Sequence, residues 1–217
     1  MGLEDVKFTP PEGIVEKDWK AINEYFRSIE KKTSVELTYD IIKRYAWNVI
    51  KQKCPKFILT EENKQLLIDL SGYVVGEGSL DARKGIYLYG AYGVGKSLIM
   101  QPFMQLLKVK QKSAISIVEE FDETNNFKSF CVDDWYFDDL GAEKLPKFYK
   151  SDAYPLMTEI IQLRYFKTHQ GHNQSRTFVS TNLKPQKFNE IYGHRVGSRL
   201  PQMFNVIHLR GKDYRKE

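Results

Sequence analysis

The sequence predicts an α/β fold, a parallel sheet flanked by helices, with a small helical segment in front of it. Three observations carry that expectation. A short β-branched and aromatic run, Ile86-Tyr87-Leu88-Tyr89, ends at a glycine-rich loop, and an apolar helical pattern opens just beyond it at Leu98-Ile99-Met100. A second run, Trp135-Tyr136-Phe137, leads straight into Asp138-Asp139. A third, Thr177-Phe178-Val179-Ser180, ends in the polar pair Thr181-Asn182. Strands separated by helical stretches call for crossover connections and parallel pairing.

The loop after the first run is Gly90-Ala91-Tyr92-Gly93-Val94-Gly95-Lys96-Ser97, the G-x-x-x-x-G-K-S spacing of a P-loop. Its glycines let successive backbone N–H groups turn inward onto phosphate oxygens, and the helix entered at Leu98 adds its positive end. Lys96 is expected to reach the β- and γ-phosphates of ATP, and the Ser97 hydroxyl to take one position on Mg²⁺. A buried strand that delivers an acid at its C-terminal end is the companion Walker B arrangement. Asp138 would then hold Mg²⁺, and Asp139 would orient or deprotonate an attacking water. Asp133 and Asp134 precede the strand and read as solvated loop charges. Asn182 suits a sensor of the γ-phosphate if its strand lies between the other two; the plainer alternative is an Asn that starts the next turn. Arg195 and Arg199 stand at i and i+4, the spacing of one helix face. They read either as a pair of surface arginines or as a source of charge stabilisation for a neighbouring subunit's phosphates.

At 217 residues, with 41% hydrophobic and 13% aromatic content, the chain suits one sizeable domain with a smaller appendage. The division falls at residues 1–78 and 79–217. Residues 1–13 read as an extended arm. A first helix spans about Glu16 to Lys31, with Trp19, Ile22, Phe26 and Ile29 as its apolar stripe. A second follows Thr38, carries Ile41, Ile42, Tyr45, Ala46, Val49 and Ile50, and stops at Cys54-Pro55. Thr60 caps a third, whose stripe is Leu66, Leu67, Leu70 and Tyr73. Lys108 to Lys112 reads as a basic turn, Ala114-Ile115-Ser116-Ile117-Val118 as a strand, and Glu119 to Asn126 as a loop. On that reading little room is left for a helix ahead of the Walker B strand. Tyr154 to Lys167 is helical, Gly171-His172-Asn173 a turn, Lys184 to Tyr192 a short helix, and Asn205 to Leu209 a last strand.

No apolar run approaches the ~20 residues that span a bilayer, and Met1 to Phe8 lacks the apolar core of a signal peptide, so a cytoplasmic protein is expected. Two cysteines fit a reducing compartment, and the four histidines form no zinc pattern. The net charge of +5 lies in the last third, where residues 151–217 carry 11 basic and 5 acidic groups. That excess suits nucleic acid, phosphates, an acidic subunit, or merely a solvated basic face.

Several strings then resemble one family. Phe137-Asp138-Asp139-Leu140-Gly141-Ala142-Glu143, Arg164-Tyr165, Ser180-Thr181-Asn182-Leu183 and Tyr192-Gly193-His194-Arg195-Val196-Gly197-Ser198-Arg199-Leu200 are similar to the AAA+ ATPases of the DnaC and IstB type, the helicase loaders and transposition helpers. The resemblance covers residues ~80–212 and implies a P-loop NTPase fold of the AAA+ class. It implies Mg²⁺-dependent ATP hydrolysis in a ring or spiral of identical subunits, with ATP between them. Lys96 and Ser97 then stand as Walker A, Asp138 as Walker B, Asp139 as the activating acid and Asn182 as sensor 1. Arg199 stands as the arginine finger, with Arg195 as second candidate. Single-stranded DNA and a protein, either a replicative helicase or a transposase, are the implied partners, and the N-terminal segment is where the family grips that protein. The chain ends without room for a full helical lid, and Arg215 is only a guess for a sensor 2 arginine.

Overall fold

A computed structural model of the chain describes residues 17–18, 20–24, 38–143, 156–169 and 175–215. The helix expected over Glu16–Lys31 falls mostly outside them, as do the N-terminal arm and the turn at Gly171-His172-Asn173. Within it, residues 20–24 are helical, and Ile22 is buried in the core.

Two helices come first, α1 (Tyr39–Lys53) and α2 (Glu61–Val75). The stripe of α1 buries Ile42, Tyr45, Ala46, Val49 and Ile50. Helix α2 begins where Thr60 and Asn63 exchange side-chain-to-backbone bonds, a capping box, and ends on Gly76 in the left-handed conformation. Next come β1 (Gly85–Tyr89), α3 (Lys96–Leu106), β2 (Lys110–Ser113), α4 (Ala114–Thr124), a 3₁₀ turn (Lys128–Cys131) and β3 (Trp135–Leu140). The described chain closes with α5 (Leu156–His169), β4 (Thr177–Thr181), α6 (Pro185–Tyr192), two single turns α7 (His194–Gly197) and α8 (Leu200–Met203), and β5 (Phe204–His208).

All strand pairs are parallel, in the order β2-β3-β4-β1-β5. Both faces are covered, so successive residues of one strand enter opposite cores. Ile86 and Leu88 face α1, α2 and α3, whereas Tyr87 faces the layer of α4, α5 and α6. Tyr136 and Phe178 lie in the first core, Phe137 and Val179 in the second. The stripes of α1 and α2 therefore belong to the same core as the sheet.

The stretch between α3 and β3 differs from expectation. The strand is Lys110–Ser113, where a basic turn is expected, and Ala114–Val118 opens a helix rather than forming a strand. Ser113 caps that helix by accepting from the Ser116 N–H at 3.1 Å. Ala114, Ile117, Val118 and Phe121 fall at i, i+3, i+4 and i+7 and all pack into the second core. Strand β2 lies at the sheet edge, so its lysines are tolerated; Lys110 pairs with Asp133 at 2.7 Å and Lys112 with Glu120. A helix ahead of β3, for which the sequence reading leaves little room, is thus present as α4. Asp134 is not a solvated charge either. It accepts from the Arg176 backbone N–H at 2.6 Å and from its guanidinium at 2.6 and 2.9 Å, tying β3 to β4.

Arg164 of α5 is fully buried and donates to the carbonyls of Phe130, Asp133 and Arg176 at 2.7–2.8 Å and to Thr177 Oγ1 at 2.7 Å. Burial pushes its guanidinium down to about 10. Arg164→Ala leaves those carbonyls without a donor. Urea unfolding is expected to show a loss of about 3 kcal/mol or more.

Candidate nucleotide-binding and catalytic site

The site forms where β1, β4 and β3 end side by side. Gly90 leaves β1 with its N–H on the Thr181 carbonyl at 3.1 Å, which ties the loop to β4. Gly93 (φ +74°) and Gly95 (φ +92°) are left-handed, so the loop curls and presents its N–H groups to one side. A side chain at Gly95 would meet the Phe57 ring at 2.7 Å. Lys96 opens α3 and is 6% exposed. Its ammonium donates to the carbonyls of Gly90 (3.1 Å) and Ala91 (2.8 Å) and to Asn182 Oδ1 (2.5 Å). Burial lowers its pKa, the Asp139 and Asp138 charges oppose that shift, and Arg215 adds to it.

Across from the loop, Asp138 Oδ1 gathers three hydroxyls: Ser97 and Tyr136, each at 2.7 Å, and Ser180. The β3–β4 register is Phe137↔Val179 and then Leu140↔Thr181, so two residues of β3 stand against one of β4. Neighbouring side chains of a regular strand point to opposite faces; this bulge, with Asp139 at φ +52°, brings both carboxylates to the site. The Asp139 N–H is held by Ser180 Oγ at 3.1 Å. Burial, then the nearby Asp138 charge, raises the Asp139 pKa, with Lys96 and Arg215 acting against it.

A cavity of about 410 Å³ opens here, lined by Gly93, Lys96, Ser97, Leu98, Asp139 and Asn182. The donor set fits a magnesium nucleotide. A hydroxyl and a carboxylate already converge at Ser97–Asp138, the hard oxygen pair such an ion takes, and a buried cation stands beside inward-curled glycines.

Among solved structures the chain is similar to DnaI (20% identity, TM-score 0.53, covering 74% of this chain and 88% of that one) and to the DnaC helicase loader (16%, 0.55, 76% and 98%). It is also similar to the replication initiator DnaA bound to AMPPCP and single-stranded DNA (18%, 0.51), where it spans about half of that chain's length. The fold is the AAA+ fold. No protein-family model matches the sequence, and no curated protein does. The resemblance carried by the motif strings is thus borne out by structure, at the level of this fold.

Within the AAA+ frame, the loop from Gly90 through Ala91, Tyr92, Gly93, Val94, Gly95, Lys96 and Ser97 to Leu98 stands together with Asp138, Asp139 and Asn182. The strand bearing Asn182 does lie between the Walker strands. Arg195 and Arg199 do not share a helix face, because α7 stops at Gly197 and α8 starts at Leu200. Arg195 is exposed, and the Arg199 guanidinium lies over the rings of Tyr165 (4.2 Å) and Phe166 (4.6 Å), outside the cavity lining. The same cavity is also lined by residues that sequence reasoning missed, Cys54, Phe57, Gln101 and Tyr214, and by Arg215, which lies near enough to act on Lys96 and Asp139. The chain after β5 runs back along the P-loop. The Tyr214 N–H bonds the Gly93 carbonyl at 3.1 Å, and its ring lies 4.8 Å from Phe57. No local pattern announces that return; Arg215 alone carried a hint.

With its pKa raised, Asp139 takes up a proton at a higher pH than an ordinary aspartate, about 3.9. Turnover that needs its carboxylate is present above that pKa and lost as pH falls through it. The acid limb of kcat/KM for ATP should therefore lie above the ordinary aspartate value; a limb at or below it would remove Asp139 as the base.

Proposed function

We propose that the chain is an ATP-hydrolysing DNA replication factor, a helicase loader that acts on single-stranded DNA as an oligomer of identical subunits. The observation that supports it most is the joint geometry at the strand ends. Lys96 meets Asn182, and Ser97 meets Asp138, across β1, β4 and β3. Three separate stretches of sequence have to fold together for that constellation to exist, and its parts match the roles phosphoryl transfer requires. Bound ATP with Mg²⁺ supplies the scissile anhydride and the charge that polarises it. The chain's own groups do the remainder. The P-loop N–H groups and Lys96 hold phosphate oxygens, Ser97 and Asp138 hold the metal, Asn182 orients the terminal phosphate, and Asp139 accepts the proton of the attacking water. Tyr214, half-buried and backed by the Phe57 ring, adds an aromatic group to the cavity lining against which a base could pack.

The loader reading is supported by the named neighbours, one a helicase loader and one an initiator bound to a nucleotide analogue and single-stranded DNA. The basic last third of the chain is compatible with a phosphate backbone. A replicative helicase is the proposed partner. Among the described residues no helix is long and apolar enough to cross a membrane, and a cytoplasmic site of action is part of the proposal. Capture of a transposase in place of a helicase would turn the same machinery into a transposition helper.

ATP turnover by the full chain tests the reading. Lys96→Ala should lose nucleotide binding or turnover. Arg199→Ala should keep binding and lose about 10³-fold in kcat, the scale of an arginine finger. Mixing Arg199→Ala with Asp139→Asn chains should restore part of the rate if the arginine serves a neighbour. An unchanged rate in Lys96→Ala would remove the P-loop assignment. Binding without turnover in the unaltered chain, with DNA and partner present, would make it a nucleotide-gated adaptor.

A further inference from the structure

Glu143 is 5% exposed, and among the described residues no cation is paired with its carboxylate. A buried carboxylate is costly unless hydrogen bonds satisfy it. Two do. The Gly141 N–H donates to Oε2 at 2.7 Å, and the Tyr192 hydroxyl donates to Oε1. Tyr192 is 1% exposed, so the contact is closed to water. Burial, then the Glu143 charge, raises the Tyr192 pKa well above that of a free tyrosine, which keeps the hydroxyl a donor.

The positions of these two partners give the contact its interest. Gly141 (φ +93°) follows Asp139 by two residues, and the Ala142 N–H bonds back to the Asp139 carbonyl at 2.9 Å. The loop that carries Glu143 therefore holds the backbone that aims Asp139. Gly141 also lies against the Leu183 side chain, next to Asn182, so Asp139 and Asn182 share that support. Tyr192 is the last residue of α6. Beyond it the chain turns at Gly193 into α7 and Arg199. Gly197 sits so close to the Asn189 side chain that any Cβ would overlap it, so α6 and α7 are packed as one piece. One carboxylate thus bridges the segment that bears the water-activating acid and the segment that bears the arginines.

We infer that Glu143 and Tyr192 form a positioning link through which the state of the nucleotide site sets the placement of the Arg195–Arg199 segment of the same chain. The link rests on the proposed ATPase reading of the site. Neither residue lines the cavity; each acts through backbone, Glu143 on Asp139 and Tyr192 on the arginine segment. A link of this kind moves the chemical step more than it moves nucleotide affinity, because ground-state contacts of the P-loop are untouched.

Tyr192→Phe alone would leave a buried charge short of a donor and could cost stability, so the informative pair is Glu143→Gln and Glu143→Gln with Tyr192→Phe. The glutamine keeps a bond to Gly141 and another to the tyrosine without the charge; the double variant keeps the packing and loses the bridge. Nucleotide affinity, kcat and amide hydrogen exchange over residues 193–200 would be measured on the full chain, with and without ATP and Mg²⁺. Glu143→Gln should stay near the unaltered rate. The double variant should bind ATP within about twofold and lose about tenfold in kcat. In the unaltered chain and in Glu143→Gln, ATP should change exchange across 193–200; in the double variant it should not. Affinity that falls in step with kcat, or an exchange response that survives in the double variant, would overturn the link and leave a purely structural contact. Failure of the unaltered chain to bind ATP in a Lys96-dependent way would overturn the ATP reading, and the link with it.

Discussion

Lys96 is nearly buried, yet among the described residues its ammonium meets only the carbonyls of Gly90 and Ala91 and the amide oxygen of Asn182. Among the described residues, a cation in that position is hydrogen-bonded by dipoles, with Asp138 and Asp139 near enough to act on it through space. Burying charge on such terms costs free energy, and an anion drawn into the loop would offset that cost. Much of the architecture follows from this one group. Placing Asn182 against Lys96 requires β4 to lie beside β1, and the Ser180–Asp138 contact puts β3 on its other side. That order requires parallel crossovers, and those require apolar helices on both faces of the sheet. The bulge at Asp138–Asp139 then brings two carboxylates into the field of one cation.

The parts that were legible in the sequence are those whose chemistry is local. Gly90 to Ser97 declares itself by spacing. Trp135 to Asp139 does so by an apolar run that ends in acids, and Asn182 by its place at a strand end. The stretch from Lys108 to Asn126 was misread because two signals competed. Ile115, Ile117 and Val118 are β-branched and favour a strand, but Ala114, Ile117, Val118 and Phe121 carry helical spacing, and Ser113 supplies a cap. Period and cap prevailed over residue preference. The polar edge strand beside it gave no apolar signal at all. Phe57 and Tyr214 could not be found locally, since they meet only because the tail folds back along the P-loop. Asp134 and Arg164 looked like surface or motif charges and are instead internal ties, a role that depends on partners far away in sequence.

The arginines divide in a similar way. Their spacing suggests one helix face, whereas the helix breaks between them; Arg195 is exposed and Arg199 lies across two aromatic rings. Arg199 is half-buried against Tyr165 and Phe166, its Nη1 is buried and, among the described residues, without a hydrogen-bond partner, and it does not line its own chain's cavity. Glu143 and Tyr192 then stand between that segment and the acid of the same chain. On this account, each subunit both reads its own nucleotide and offers its arginine elsewhere.

The central claim is that hydrolysis needs a site completed by a second copy of the chain. The most direct test is the ATPase rate per chain across a wide range of protein concentrations, with and without single-stranded DNA. The account predicts a rate per chain that climbs with concentration and climbs further when DNA gathers the subunits. A rate per chain that is already full at high dilution, and indifferent to DNA, would contradict it.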